Sequence, residues 1–189
     1  MNDLNDIVAH DSSYYDAYLG IGSYLYWRSY LTRKFVWLPF FSDQREKGIS
    51  LIQTSFKRGT ISKWAALSNL AWIYIKEDRF DDAITCATMG LADFPNSRFF
   101  LWPLGDAQFY KEDYSGALET YLQLLISVTS EDFNNRYNET VLHLKIAKCL
   151  FELNDFEKEK AMQGFAKHLL RLFFAITLSM ALAIAIPFA

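Results

Sequence analysis

WAALSNLAWIYIKEDRFDDAITCATMGLADFPNS, residues 64–97, runs directly into RFFLWPLGDAQFYKEDYSGALETYLQLLISVTS, residues 98–130. Sliding the first stretch forward by about 34 residues, a known period of helical repeats, sets Leu67 on Leu101, Leu70 on Leu104 and Ala71 on Gly105. The same shift sets Phe80 on Tyr114, Ala83 on Ala117 and Ala87 on Tyr121. Small residues recur where two helices must approach closely, and aromatic residues recur where a turn is plugged. A helical hairpin can bury its apolar stripe only against its neighbours, which gives such a recurrence a physical cause.

Working outward, a third copy follows a loop at 130–138. Ile146, Ala147, Leu150 and Phe156 take the places of Leu70, Ala71, Tyr74 and Phe80, but Glu159 stands where Ala83 and Ala117 stood. Toward the start, Tyr14–Tyr30 reads as one helix and Ser42–Lys57 as a second, with Ser42 as N-cap and Gly59 as stop. The apolar connector between them, Phe35–Phe41, is expected to fold back onto the helices.

Leu70-Ala71, Tyr74, Phe80, Ala83 and Pro95 in one unit, and Gly105, Tyr114 and Ala117 in the next, resemble the tetratricopeptide repeat family. The likeness spans roughly 14–159. Asp16 to Trp27 (DAYLGIGSYLYW) is also similar to the opening of bacterial members with no assigned chemistry. The resemblance implies an all-α chain: a right-handed superhelix of antiparallel helix pairs, about three to four repeats, followed by a C-terminal hydrophobic helix. The expected organisation is a divergent hairpin with its connector at 12–60, repeats at 61–159 and the apolar segment at 160–189. Two residues depart from the pattern. Pro103 inside a first helix should kink or shorten it, and Gly90 replaces an alanine at up to about 1 kcal/mol of helix propensity.

Composition narrows the function classes. A net charge of −3 with no basic run argues against nucleic-acid binding through phosphate neutralisation. Cys86 and Cys149 lie far apart, which fits neither a metal site nor a disulfide framework. None of His10, His143 and His168 stands four residues from another, so no helical two-histidine metal site is expected, and His143 reads as a packed residue. Gly20-Ile-Gly22 sits within a helical pattern and reads as helix packing rather than a phosphate loop. Asp81-Asp82 and Glu112-Asp113 fall at turns and helix starts, where carboxylates complement the helix dipole. The expectation is a non-enzyme with no catalytic residues, cofactor or metal.

In the resembled family, the first helix of each unit lines a concave groove. That implies Tyr18 and Tyr26 here, with Tyr15 beside them, then Ser68, Trp72 and Lys76. Phe99, Trp102, Asp106, Phe109 and Tyr110 follow, and Leu144, Lys148 and Phe151 complete the row. Asn69 and Lys145 match two positions of a clamp for acidic tails, but Trp102 and Pro103 interrupt it. The expected partner is therefore an apolar or amphipathic protein segment anchored by Trp72 and Trp102. The alternatives are aromatics that pack between repeats or under the Phe35–Phe41 connector, a chaperone-like holder of apolar segments whose groove takes its own tail when idle, and an enzyme or a non-catalytic subunit of an enzyme complex.

Leu172–Ala189 carries no charge. As a helix it would rise about 27 Å, close to a hydrocarbon core of about 30 Å. Lys160, Lys167 and Arg171 precede the run, so the positive-inside rule would keep the repeats on the cytoplasmic face. A membrane anchor through 169–189, a helix packed on the repeats and a truncated end are the three readings of this segment.

Overall fold

The computed structural model describes residues 2–38, 40, 42–130 and 136–153. Phe156, Glu159 and the whole 160–189 segment lie outside the described residues. Among the described residues the chain is all-helical, with adjacent helices packed in pairs. No helix among them is long and apolar enough to cross a membrane. The chain divides into two compact units, residues 1–111 and 112–189.

In the first unit the helices are α1 (Asn2–His10), α2 (Ala17–Thr32), α3 (Arg45–Arg58), α4 (Lys63–Lys76), α5 (Phe80–Asp93) and α6 (Arg98–Tyr110). Each packs on the next from α1 to α6 apart from the connector after α2, and α4 also packs on α6. Helix α1 was not foreseen. It packs on α2, where the Cδ1 of Leu4 lies 2.7 Å from the place a Cβ on Gly20 would occupy. The core gathers Tyr26, Ile49, Ile52, Leu67, Leu70, Ile73 and Phe100.

Glycine sets the α2–α3 contact. A Cβ on Gly22 would lie 2.6 Å from the Gly48 carbonyl oxygen, and one on Gly48 would lie 2.6 Å from the Gly22 oxygen. Both neighbours are backbone, so no rotamer change could make room. Gly90 answers a different need: a Cβ there would run into the ring of buried Phe100. The helix propensity lost at Gly90 is exchanged for seating a large aromatic.

The start of α3 differs from expectation. Ser42 is not its cap; Gln44 holds that place without a side-chain bond, and Asp43 Oδ1 accepts from the Arg45 N–H at 3.0 Å. Gly59 does end α3, in an extended rather than left-handed conformation. A Cβ there would press on the Ser55 oxygen, Asp16 Oδ1 and Ser62 Oγ. Asp16 is the reason for that crowding. Its carboxylate accepts from the Ile61 and Ser62 N–H groups at 3.1 and 2.8 Å, and from the hydroxyls of Ser62 and Thr60. Residue 16, just ahead of α2, thereby caps the N-terminus of α4. These bonds hold the Asp16 carboxyl down at about 2, the Ser62 hydroxyl contributing most.

Helix α4 ends in a Schellman motif. The Arg79 N–H donates to the Tyr74 oxygen at 2.8 Å and the Asp78 N–H to the Ile75 oxygen at 3.3 Å, with Asp78 left-handed at φ 56°. The Arg79 guanidinium covers the Tyr74 ring at 4.3 Å. Helix ends then meet in antiparallel fashion, Trp64 edge-on to Phe94 at 5.2 Å and Phe80 stacked on Tyr110 at 6.0 Å.

Pro103 neither breaks nor shortens α6, which runs on from Arg98 to Tyr110. Proline cannot donate to the carbonyl four residues back, that of Phe99. The Ser68 hydroxyl of α4 donates to that carbonyl instead, at 3.2 Å. The acceptor abandoned by its own helix is met by a neighbour.

The second unit contains α7 (Tyr114–Thr129) and α8 (Arg136–Glu152), packed on each other. Asp113 caps α7, its Oδ1 accepting from the Gly116 N–H at 3.0 Å, and Glu112 before it is left-handed at φ 68°. Tyr121, Leu124, Leu142, Ile146 and Cys149 are buried here. His143 and Glu139 are also buried, one turn apart, with His143 Nε2 3.9 Å from Glu139 Oε1. Burial pulls the imidazole pKa down, and the carboxylate opposes it.

Candidate interaction surface

Residues expected to line a groove fall into three groups. Tyr26 is a correction: it is 0% exposed and belongs to the core. Its hydroxyl donates to Glu77 Oε1 at 2.8 Å, and its ring lies edge-on to Trp27 at 5.0 Å. Ser68 is likewise buried, occupied by the Phe99 carbonyl.

A second group is partly engaged in holding the fold. Tyr18 is half-buried and its hydroxyl donates to the Ser12 oxygen at 3.1 Å. The Tyr15 hydroxyl accepts from Arg58 Nη1 at 3.0 Å. Asn69 Nδ2 donates to Ser23 Oγ at 2.9 Å, and Lys145 lies over the Tyr121 ring at 5.3 Å. Both residues matching an acidic-tail clamp thus face their own chain.

The third group lies on α4 and α6. Trp72 is half-buried against the core, and Lys76 one turn later is exposed. On α6, Phe99, Trp102, Asp106 and Tyr110 follow at intervals of three and four residues, which puts them on one helical stripe. Phe99 is 54% and Tyr110 55% exposed, while Trp102, Asp106 and Phe109 are half-buried. The bond from Ser68 to Phe99 sets the register of α4 against α6. Trp72 and Trp102 stand four and three residues beyond those two anchors, on matching turns of helices that run the same way. In the second unit Leu144, Lys148 and Phe151 are exposed on α8.

One polar constellation escaped the sequence. Glu77, at the end of α4, accepts from the Tyr26 hydroxyl and from Arg45 Nη1 at 2.9 and 2.8 Å. Arg45 also grips Asp43 through Nε and Nη2. Burial and the Glu77 carboxylate push the Tyr26 phenol above its usual range, and the Asp43 and Glu77 carboxylates raise the Arg45 pKa. Three helices are joined through one carboxylate, and every member already has a partner, so the cluster reads as a fastening. Cys86 is buried and its thiol is pushed up to about 11 by desolvation, which keeps it protonated and unreactive. Among the described residues no group of three His, Cys, Asp or Glu side chains could hold a metal ion.

No family model matches this chain, no curated protein matches it, and no solved structure matches its fold.

Proposed function

We propose that the chain is a non-catalytic scaffold of the tetratricopeptide type, with α2–α6 stacked as a right-handed superhelix of helix pairs, and that it holds an apolar or amphipathic segment of a protein partner. Backbone recurrence supports the repeat reading. Left-handed Asp78 and Glu112 are one repeat length apart, about 34 residues, as are the helix starts Phe80 and Tyr114. The packing of α4 on both α5 and α6 is the arrangement such stacking requires.

The observation that carries the functional reading is the aromatic strip on α4 and α6. Phe99 and Tyr110 are more than half exposed on the same α6 stripe as half-buried Trp102, a run of aromatic surface of the kind that marks interaction sites. Large aromatics on rigid helices are the side chains on which protein interfaces concentrate their binding energy. The test is a photo-crosslinking residue placed at Phe99 in cells making the full chain, with exposed Met89 on α5 as the control position. Adducts at 99 that are absent at 89 and lost on Trp102→Ala support the strip. Equal adducts at both positions, or adducts indifferent to Trp102, refute it.

A membrane anchor at 169–189 belongs to the same proposal, and carbonate extraction tests it separately. Release of the chain into the soluble fraction removes the anchor while leaving the strip standing.

A further inference from the structure

The connector after α2 is expected to fold back; of its described residues Leu38 is half-buried while Phe35, Val36, Trp37 and Phe40 are exposed, and Pro39 and Phe41 lie outside the described residues. Arg33–Phe35 forms a 3-10 turn at the head of this stretch. Trp37 is 78% exposed and Phe40 89%; Leu31, on the last turn of α2, is 73%. Phe35 and Val36 are exposed as well. An uncovered group of this size on a single turn marks an interaction site.

The charges around it are mostly positive, and the nearest carboxylate in the sequence, Asp43, is already paired with Arg45. From Ala17 to Ser42 the sequence has Arg28, Arg33 and Lys34 and no Asp or Glu, in a chain whose net charge is −3. Among the described residues none of these three cations is in an ion pair. Arg33 sits over the Tyr30 ring at 4.5 Å and Arg28 beside the Tyr24 ring at 5.5 Å, so cations and amphipathic rings are paired along the end of α2 that leads to the tip. A cleft of about 90 Å³ opens at the same place, lined by Arg28, Thr32, Phe40 and Ser42. It offers a guanidinium and two hydroxyl side chains beside an apolar ring.

We propose that this turn docks the first unit onto an anionic lipid bilayer, with Trp37 and Phe40 in the headgroup–acyl boundary and Arg28, Arg33 and Lys34 among the lipid phosphates. Trp37 and Phe40 stand far out into solvent, and a fluid boundary needs no shaped pocket to receive them. Trp, Phe and Leu above a ring of Arg and Lys is the composition that partitions to such boundaries. Neither the aromatic strip on α4 and α6 nor the segment after residue 153 enters this argument.

The test uses the full chain carrying Phe40→Cys labelled with an environment-sensitive fluorophore, the native cysteines being buried. The expected result is a blue shift and brightening on phosphatidylcholine–phosphatidylserine vesicles, much weaker on phosphatidylcholine alone and reduced by added salt. A cation near an anionic surface contributes about 1 kcal/mol. Arg33→Gln with Lys34→Gln should therefore raise the lipid concentration for half-maximal shift about thirtyfold. The same label at Met89 should stay unshifted. The proposal is overturned if the label at 40 stays in water while the chain sediments with vesicles, since another segment then does the binding. It is equally overturned if the label at 89 shifts alike, if the double substitution leaves the titration unmoved, or if the label shifts without lipid as protein concentration rises, which would assign the turn to a second copy or a protein partner.

Discussion

The Ser68–Phe99 bond predicts a coupling that can be measured. In Ser68→Ala the Phe99 carbonyl loses its donor, and because residue 103 is proline the helix cannot supply another. Leaving a buried acceptor unpaired costs about 1–3 kcal/mol, and alanine recovers up to about 0.5 kcal/mol of helix propensity. The net loss should be about 1–2 kcal/mol. Pro103→Ala restores an N–H four residues after Phe99. In that background Ser68→Ala should cost less than about 0.5 kcal/mol, the level at which independent sites add. The assay is a double-mutant cycle from urea titrations followed by tryptophan fluorescence. All five tryptophans, at positions 27, 37, 64, 72 and 102, lie in the first unit, so the signal reports that unit alone. Equal costs of Ser68→Ala in both backgrounds would refute the argument that the serine replaces the bond proline removed.

Four further outcomes follow from the packing and the titrating groups. Gly22→Ala and Gly48→Ala each put a Cβ against backbone; overpacking of about 1–3 kcal/mol outweighs a propensity gain of up to about 1 kcal/mol, so both should lower the urea midpoint, and an unchanged midpoint would contradict the close crossing. Gly90→Ala should destabilise beside Phe100 but stabilise in a Phe100→Leu background, a change of sign readable by the same fluorescence titration. Asp16→Ala should lower Tm at neutral pH. Because the folded carboxyl sits at about 2 rather than the ordinary 3.8, its contribution is complete above the ordinary value and fades as pH falls through about 2, so the wild-type and variant acid limbs should converge there. His143 works in the same direction by a different cause. Its folded pKa lies below 6.5, so the unfolded chain takes up more protons beneath that pH and the second unit loses stability on acidification. His143→Gln should flatten that decline in hydrogen exchange of the α8 amides.

Most residues that carry the recurrence in the sequence are core residues, whereas Phe80 and Tyr114 are half-buried and Pro95 is exposed. Leu67, Leu70, Ala71, Ala83, Ala87, Leu101, Leu104, Ala117, Tyr121, Ile146, Ala147 and Leu150 are all buried. Helical period and small-residue spacing are local properties, and a sequence displays them directly. What it did not display depends on partners far along the chain. Tyr26 reads as one of several tyrosines on a helix, and the group that satisfies its buried hydroxyl, Glu77, lies 51 residues later. Ser68 reads as a groove position because nothing nearby tells that Phe99 will need a donor. Asp16 caps a helix that begins at Lys63. By sequence Tyr26 and Ser68 are assigned to a groove and Asp16 is given no role, while the fold has a distant carboxylate or backbone group for each to meet.

The opposite error, on the connector, separates the two surfaces of the first unit. Apolar character led to the expectation that Phe35–Phe41 would be covered, yet Trp37 and Phe40 are more exposed than any aromatic of the α4–α6 strip. Trp72 packs on the core and Trp102 is half-buried, so the strip keeps its shape without a ligand and suits a partner with its own fixed shape. Trp37 and Phe40 stand much further out, and a docking partner that demanded fixed rotamers would bear more of the entropy of ordering them. A bilayer boundary makes no such demand. The strip should therefore be intolerant of Trp102→Phe, which alters shape, whereas the connector should tolerate Trp37→Phe with little loss of vesicle binding. Measuring both exchanges in one chain distinguishes recognition by shape from recognition by hydrophobicity and charge. Sensitivity of vesicle binding to Trp37→Phe would mean that the turn reads a shaped pocket after all.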